Sequence, residues 1–172
     1  MSRPSVAALI LSAWLGAAIL FAATVAPAAF AVLPSRTLAG ALVGRILPVL
    51  FVAGLAIALV AMLLDRSDAG RLPRVRRAAL GVVAIACGVA QFIVAPRIER
   101  VRAEIVGPVE QLAPGDARRV TFGRLHAVSV GWLGLAMLGA ASAIVLASAA
   151  PKSSRAGSTA AERGVREQHA TT

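Results

Sequence analysis

Apolar residues in this chain gather into four long uninterrupted runs, not into the spaced stripes that a water-soluble helix shows on one face. Positions 4–35, 46–64, 78–96 and 125–151 contain no Asp, Glu, Lys or Arg. A helix rises 1.5 Å per residue, so about 20 apolar residues cross a hydrocarbon core roughly 30 Å thick, and each run is long enough to do so. Being apolar on every side, the runs read as helices whose outer solvent is lipid. The pattern predicts an all-α fold, an integral membrane bundle of four transmembrane helices spanning about 6–32, 42–64, 76–96 and 122–149. Together these form one domain over 1–150. The remainder, 151–172, is rich in Ser, Ala, Gly, Arg and Glu without apolar periodicity, and is expected to be a disordered polar tail.

Proline and glycine refine this picture. Pro27 removes a backbone hydrogen bond and crowds the carbonyl of Ala23, so the first span is expected to bend near 23–27 toward the bundle. Thr24, one turn earlier, would supply its hydroxyl to the freed backbone there. The competing reading ends the first span at Pro27, with 28–33 as an interfacial extension. Gly54, Gly81, Gly88, Gly131, Gly134 and Gly139 are the expected points of close helix approach, since in lipid small residues let backbones meet. Between the third and fourth runs, Ile98, Val101, Ile105 and Val106 recur at helical spacing, either as an interfacial amphipathic helix or as a solvated continuation of the third span. Arg100 and Glu104 are spaced as a helix-supporting pair. Gly107-Pro108 should end that helix, and Asp116 should cap the next. Two motifs recur, read either as an internal repeat or as chance similarity in an Ala-, Val- and Gly-rich chain. Val25-Ala26-Pro27 recurs as Val94-Ala95-Pro96, and Gly44-Arg45-Ile46-Leu47 resembles Gly123-Arg124-Leu125-His126, a parallel arrangement of two spans plus two.

Composition narrows the class. Of 172 residues, 58% are hydrophobic and only 15% charged, which excludes a small soluble enzyme, a disordered chain and a disulfide-built scaffold. The net charge is +10, but the arginines punctuate the apolar runs and form no nucleic-acid motif, so membrane lipids and not nucleic acid are the expected partners. Counted by side, ten Lys and Arg accompany the N-terminus, the second loop and the tail, against eight opposite. Five of the ten lie in the short second loop, which favours both termini on the cytoplasmic side of a bacterial-type cell membrane. Ala29-Phe30-Ala31 resembles a signal cleavage site, but the preceding apolar run is longer than a signal core, so the segment is read as a retained span. Cys87, the single cysteine, is read as a small buried residue.

Little remains to carry chemistry. No HExxH, phosphate-binding glycine loop or CxxC occurs, and every carboxylate lies outside the runs. The chain is therefore read as non-enzymatic, with no catalytic set, no metal site and no cofactor. The polar positions of interest are Thr24, Pro27, Arg45, Gln91, Arg124, His126 and Ser129. Arg45 and Arg124 are placed to snorkel toward headgroups, and Gln91 to make an interhelical hydrogen bond. His126 is the sharpest candidate, because it could serve as an axial haem or metal ligand in a membrane redox or transport component. One histidine without nearby Cys, Met or carboxylate is a poor metal site, however, and a structural role is preferred. Trp14 and Trp132 are expected in helix packing or an interfacial belt.

Trp14-Leu15-Gly16, Phe21, Val25-Ala26-Pro27-Ala28-Ala29-Phe30 and Leu38-Ala39-Gly40 resemble the first half of the TMEM205-like family, the domain of unknown function 4149. Phe122-Gly123-Arg124-Leu125-His126-Ala127-Val128-Ser129 resembles its second half, and the likeness extends over about 9–146. Where that family often has Asn, this chain has Trp132. The resemblance implies a small four-span membrane protein with no established reaction. Its partners would be membrane lipids and a homo- or hetero-oligomer formed through Gly and Ala helix faces.

Overall fold

The structure, a computed structural model, describes residues 3–64 and 70–149. The expected disordered tail lies outside them. Four helices long and apolar enough to cross a membrane run over Val6–Val32, Arg36–Leu64, Arg71–Ala103 and Ala117–Ser148, here called spans one to four. No strand occurs among the described residues. Each span packs against its neighbours in sequence, and span four closes the ring against span one, with the tightest seam between spans three and four. The fold is thus an antiparallel four-helix membrane bundle, as the apolar runs predict.

Spans two, three and four are longer than the apolar runs because helices do not stop where charges begin. Arg36 opens span two, Arg71 to Arg77 form the first turns of span three, and Arg118, Arg119 and Arg124 the first turns of span four. At a membrane surface a long basic side chain reaches water or headgroups while its backbone remains helical. The segment after Pro96 is a continuation of span three to Ala103 and not a separate surface helix. It ends at Glu104, and Gly107 then turns the chain with φ +91°, a left-handed conformation that glycine adopts without a Cβ clash. The ion pair formed here joins Arg102 to Glu99 and not Arg100 to Glu104.

Spans one and three each contain a five-residue π-helical turn, Phe21–Val25 and Ala90–Val94. Each ends on the valine of Val-Ala-Pro. The following alanine, Ala26 or Ala95, donates its N–H to the carbonyl five residues back, at Phe21 or Ala90. A π turn widens the helix just before the proline ring would press on it, and proline has no N–H to misplace where the register changes. Span one therefore continues through Pro27 to Val32 and does not end at the proline. Two details depart from the sequence reading. Thr24 is exposed and its hydroxyl makes no hydrogen bond, so the π turn and not a hydroxyl resolves the break. Pro27, Ala22, Ala23 and Ala28 also face outward, while Phe21 and Ala29 face the bundle. Pro48, inside span two, is carried by regular α-helix without such a turn.

The repeat extends from motif to packing. The spacing that relates the two Val-Ala-Pro motifs also relates Leu11 to Leu80, Trp14 to Val83, Ala18 to Cys87 and Phe21 to Ala90, and all eight are buried. Spans one and three thus present the same face to the core and break in the same way at the same depth, as expected of two two-span units related by an axis along the membrane normal.

The core is built mostly from small residues packed around Trp14 and Phe51. Trp14 lies buried against span two, and its indole N–H donates to the Leu50 carbonyl at 2.9 Å. Gly54 lies beneath the indole. A Cβ placed there would stand 2.6 Å from Trp14 Cζ2 and 2.8 Å from Cys87 Sγ. Gly139 plays the matching part on span four, where a Cβ would come within 3.1 Å of the Ala79 carbonyl oxygen and of Val83. Gly81, Gly88, Gly131 and Gly134, also expected at contacts, have nothing within 4 Å of a Cβ position and make no close approach within the chain. Cys87 is fully buried. A membrane-permeant maleimide should therefore leave Cys87 unmodified in the folded protein and label it stoichiometrically once the bundle is unfolded. Rapid labelling under native conditions would contradict this packing.

Candidate functional site

The polar side chains of the bundle gather at its two ends. At the end holding the 104–116 loop, Arg102 leaves the last turn of span three and reaches across to span two. Its Nη2 donates to the Gly40 carbonyl at 3.4 Å, and its Nη1 meets Glu99 at 3.4 Å. The guanidinium carbon stands 5.7 Å from the Phe122 ring centre on span four, within cation–π range. Space for the guanidinium comes from glycine. Cβ atoms at Gly40 and Gly44 would lie 3.6 and 3.4 Å from its nitrogens. One side chain thus ties together the ends of three spans. By sequence alone Arg102 falls in the polar segment between the third and fourth apolar runs. The signal for its contact with span two is the Gly40-x-x-x-Gly44 pair, a small-residue step of the kind that admits a close neighbour.

The loop beyond is fastened by further contacts. Thr37 donates its hydroxyl to Glu110 at 3.1 Å, bringing the start of span two to the short 3-10 turn Val109–Gln111. Glu110 has its carboxyl held below the ordinary glutamate range, first by its own backbone N–H and also by Thr37. Arg119 donates to the Leu112 carbonyl at 2.7 Å, and Arg118 to the Glu104 carbonyl at 3.3 Å. Asp116 caps span four as the sequence predicts, accepting the Arg118 backbone N–H at 2.8 Å and its guanidinium at 2.8 Å. Those two Arg118 contacts, the side chain foremost, pull the Asp116 carboxyl from 3.8 down to about 2. A depressed folded value means that the cap supports the fold above about pH 4 and loses that contribution as pH falls through about 2. The protection factor of the Arg118 amide should accordingly hold from neutrality to about pH 4 and be lost as pH falls through about 2. A change centred on the ordinary aspartate range would rule the cap out.

At the opposite end all four spans converge on a narrow chamber of about 20 Å³, lined by Ala8, Leu11, Arg76, Leu80 and Ala143 among others. That volume suits a single water. Ala7, Ala61 and Leu64 belong both to this chamber and to a groove of about 220 Å³ between spans one and two, whose other walls are Ile10, Ala56, Ile57 and Val60.

The residues singled out from sequence do not converge. Thr24, Pro27, Arg45, Arg124 and His126 are exposed on different faces, as snorkelling requires of the two arginines. Ser129 is buried in the span-four face, whereas His126, on the same helix, points away. Among the described residues no group of three or more His, Cys, Asp and Glu side chains is placed to hold a metal. Gln91 departs from expectation: its Oε1 is buried in the π turn of span three and accepts no hydrogen bond, so the interhelical bond expected of it is not made within one chain.

The family described as Domain of unknown function (DUF4149) matches residues 9–106, from the first span through the last turn of the third and into the following loop. No curated protein and no solved structure matches the chain.

Proposed function

We propose, from the premise that the chain belongs to the DUF4149 family, that this multi-pass membrane protein is non-enzymatic and works through the lipids and helices it touches, in a role tied to the membrane that holds it. The observation that supports this most is how the polar groups are spent. Arg102, Glu99, Thr37, Glu110, Asp116, Arg118 and Arg119 fasten helix ends and a loop, while the interior is filled by Ala18, Phe51, Ala58, Val83, Ala86, Ala136 and Ala140. In this reading the protein is TMEM205-like, has both termini on the cytoplasmic side of a bacterial-type cell membrane, and binds no nucleic acid. The outward glycines Gly81, Gly88, Gly131 and Gly134, which leave room for a neighbouring backbone, support association with another helix.

The test is purification of the full chain in mild detergent, followed by an absorption spectrum and metal analysis. A colourless protein with substoichiometric metal is expected. A stoichiometric Soret band or bound metal, lost on His126→Ala, would replace this reading with that of a haem- or metal-binding redox or transport component.

A further inference from the structure

We infer that the Arg76 end of the bundle is a binding site for one anionic phospholipid, with the phosphate at the Arg76 rim and an acyl chain along the groove between spans one and two. This deepens the proposed function and rests on it. The groove adjoins the chamber, since Ala7, Ala61 and Leu64 line both. From Leu64 the groove descends to Ala56, eight residues deeper on span two, or about 12 Å at 1.5 Å per residue. Its walls are wholly aliphatic, and the open volume is about 220 Å³, a chemistry suited to a hydrocarbon segment. The chamber itself, at about 20 Å³, is too small for a phosphate, so the headgroup belongs at its mouth.

Charge selects the headgroup. Among the described residues Arg76 is the one charged residue lining the chamber, and Arg71, Arg74 and Arg77 stand exposed on the same first turns of span three. Arg76 and Arg77 also engage other groups, so a phosphate joins existing contacts there instead of meeting bare cations. Arg71, Arg74, Arg76 and Arg77 together place four positive charges on the first turns of span three. A juxtamembrane basic cluster attracts anionic headgroups, and here its Arg76 lines the chamber that shares Ala7, Ala61 and Leu64 with the aliphatic groove. A zwitterionic lipid fits the groove equally well but gains less from the rim.

Native mass spectrometry of the full chain in detergent, with added phosphatidylglycerol or phosphatidylcholine of identical acyl chains, tests this. Phosphatidylglycerol should be retained at one per chain and phosphatidylcholine should not. Arg76→Gln should lower retention about fivefold, the weight of one basic residue near an anionic surface. Ala56→Phe, which fills the groove from an exposed position and leaves the core untouched, should lower it independently while the Cys87 thiol stays protected. Equal retention of both lipids, or unchanged phosphatidylglycerol binding in Ala56→Phe, would overturn the inference. So would displacement of the lipid by soluble glycerol phosphate, which would point to a free phosphate as the ligand. None of these outcomes bears on the haem and metal measurement above, so the two readings fail separately.

Discussion

Gly54→Ala should be among the most damaging single-methyl changes in this protein. The added carbon would lie 2.6 Å from the Trp14 ring and 2.8 Å from Cys87 Sγ, distances that real Cβ atoms do not adopt. The indole cannot swing away easily, because its N–H is held by the Leu50 carbonyl at 2.9 Å and its ring is enclosed by the core. Spans one and two must therefore separate, or Trp14 must leave its hydrogen bond. Overpacking of this kind costs about 1–3 kcal/mol, and an abandoned buried hydrogen bond adds about 1 kcal/mol. Lipid offers no compensation, since apolar side chains are as well solvated by acyl chains as by each other, and close packing is what holds the helices together. Thermal unfolding in detergent, followed by labelling of Cys87, should show Gly54→Ala well below wild type. Gly139→Ala should suffer next, since its Cβ meets a backbone oxygen at 3.1 Å, while Gly81→Ala and Gly131→Ala should be near neutral. Equal tolerance at Gly54 and Gly81 would remove the basis of the packing described.

Arg102→Ala should loosen the loop end of the bundle by about 1–2 kcal/mol, the combined scale of one hydrogen bond and one cation–π contact after the solvent-screened ion pair is discounted. The discount is necessary because the Arg102 side chain is 34% exposed and Glu99 62%. The effect should be local. Amide exchange should rise at the first turns of spans two and four and after Ala103, with the Arg76 end unchanged. Arg102→Lys should rescue only part of it, because an ammonium cannot both reach the Gly40 carbonyl and lie flat over Phe122. Arg124→Ala, at an exposed arginine on the same end, is the control and should leave exchange unaltered. Should both substitutions behave alike, Arg102 would be one more headgroup-facing charge and not a tie between spans.

The sequence by itself determined the number of spans, the all-helical class, the Asp116 cap and the recurrence of Val-Ala-Pro. Each of these is written in local chemistry. A twenty-residue apolar run has no alternative to a helix in lipid, a carboxylate two residues before a free N–H caps it, and proline acts on its own helix. The tertiary structure decided what depends on a neighbour. Six glycines look alike in sequence, but only Gly54 and Gly139 face another helix closely, because helix rotation in lipid is set by packing and not by a polar face. Arg102 reads as a charge in a polar segment until span two presents Gly40 and span four Phe122. His126 and Ser129 stand three residues apart in the sequence, yet the rotation of span four turns one outward and buries the other. An apolar run specifies that a helix crosses the membrane, whereas the direction each of its side chains points is fixed only when the other three helices are in place.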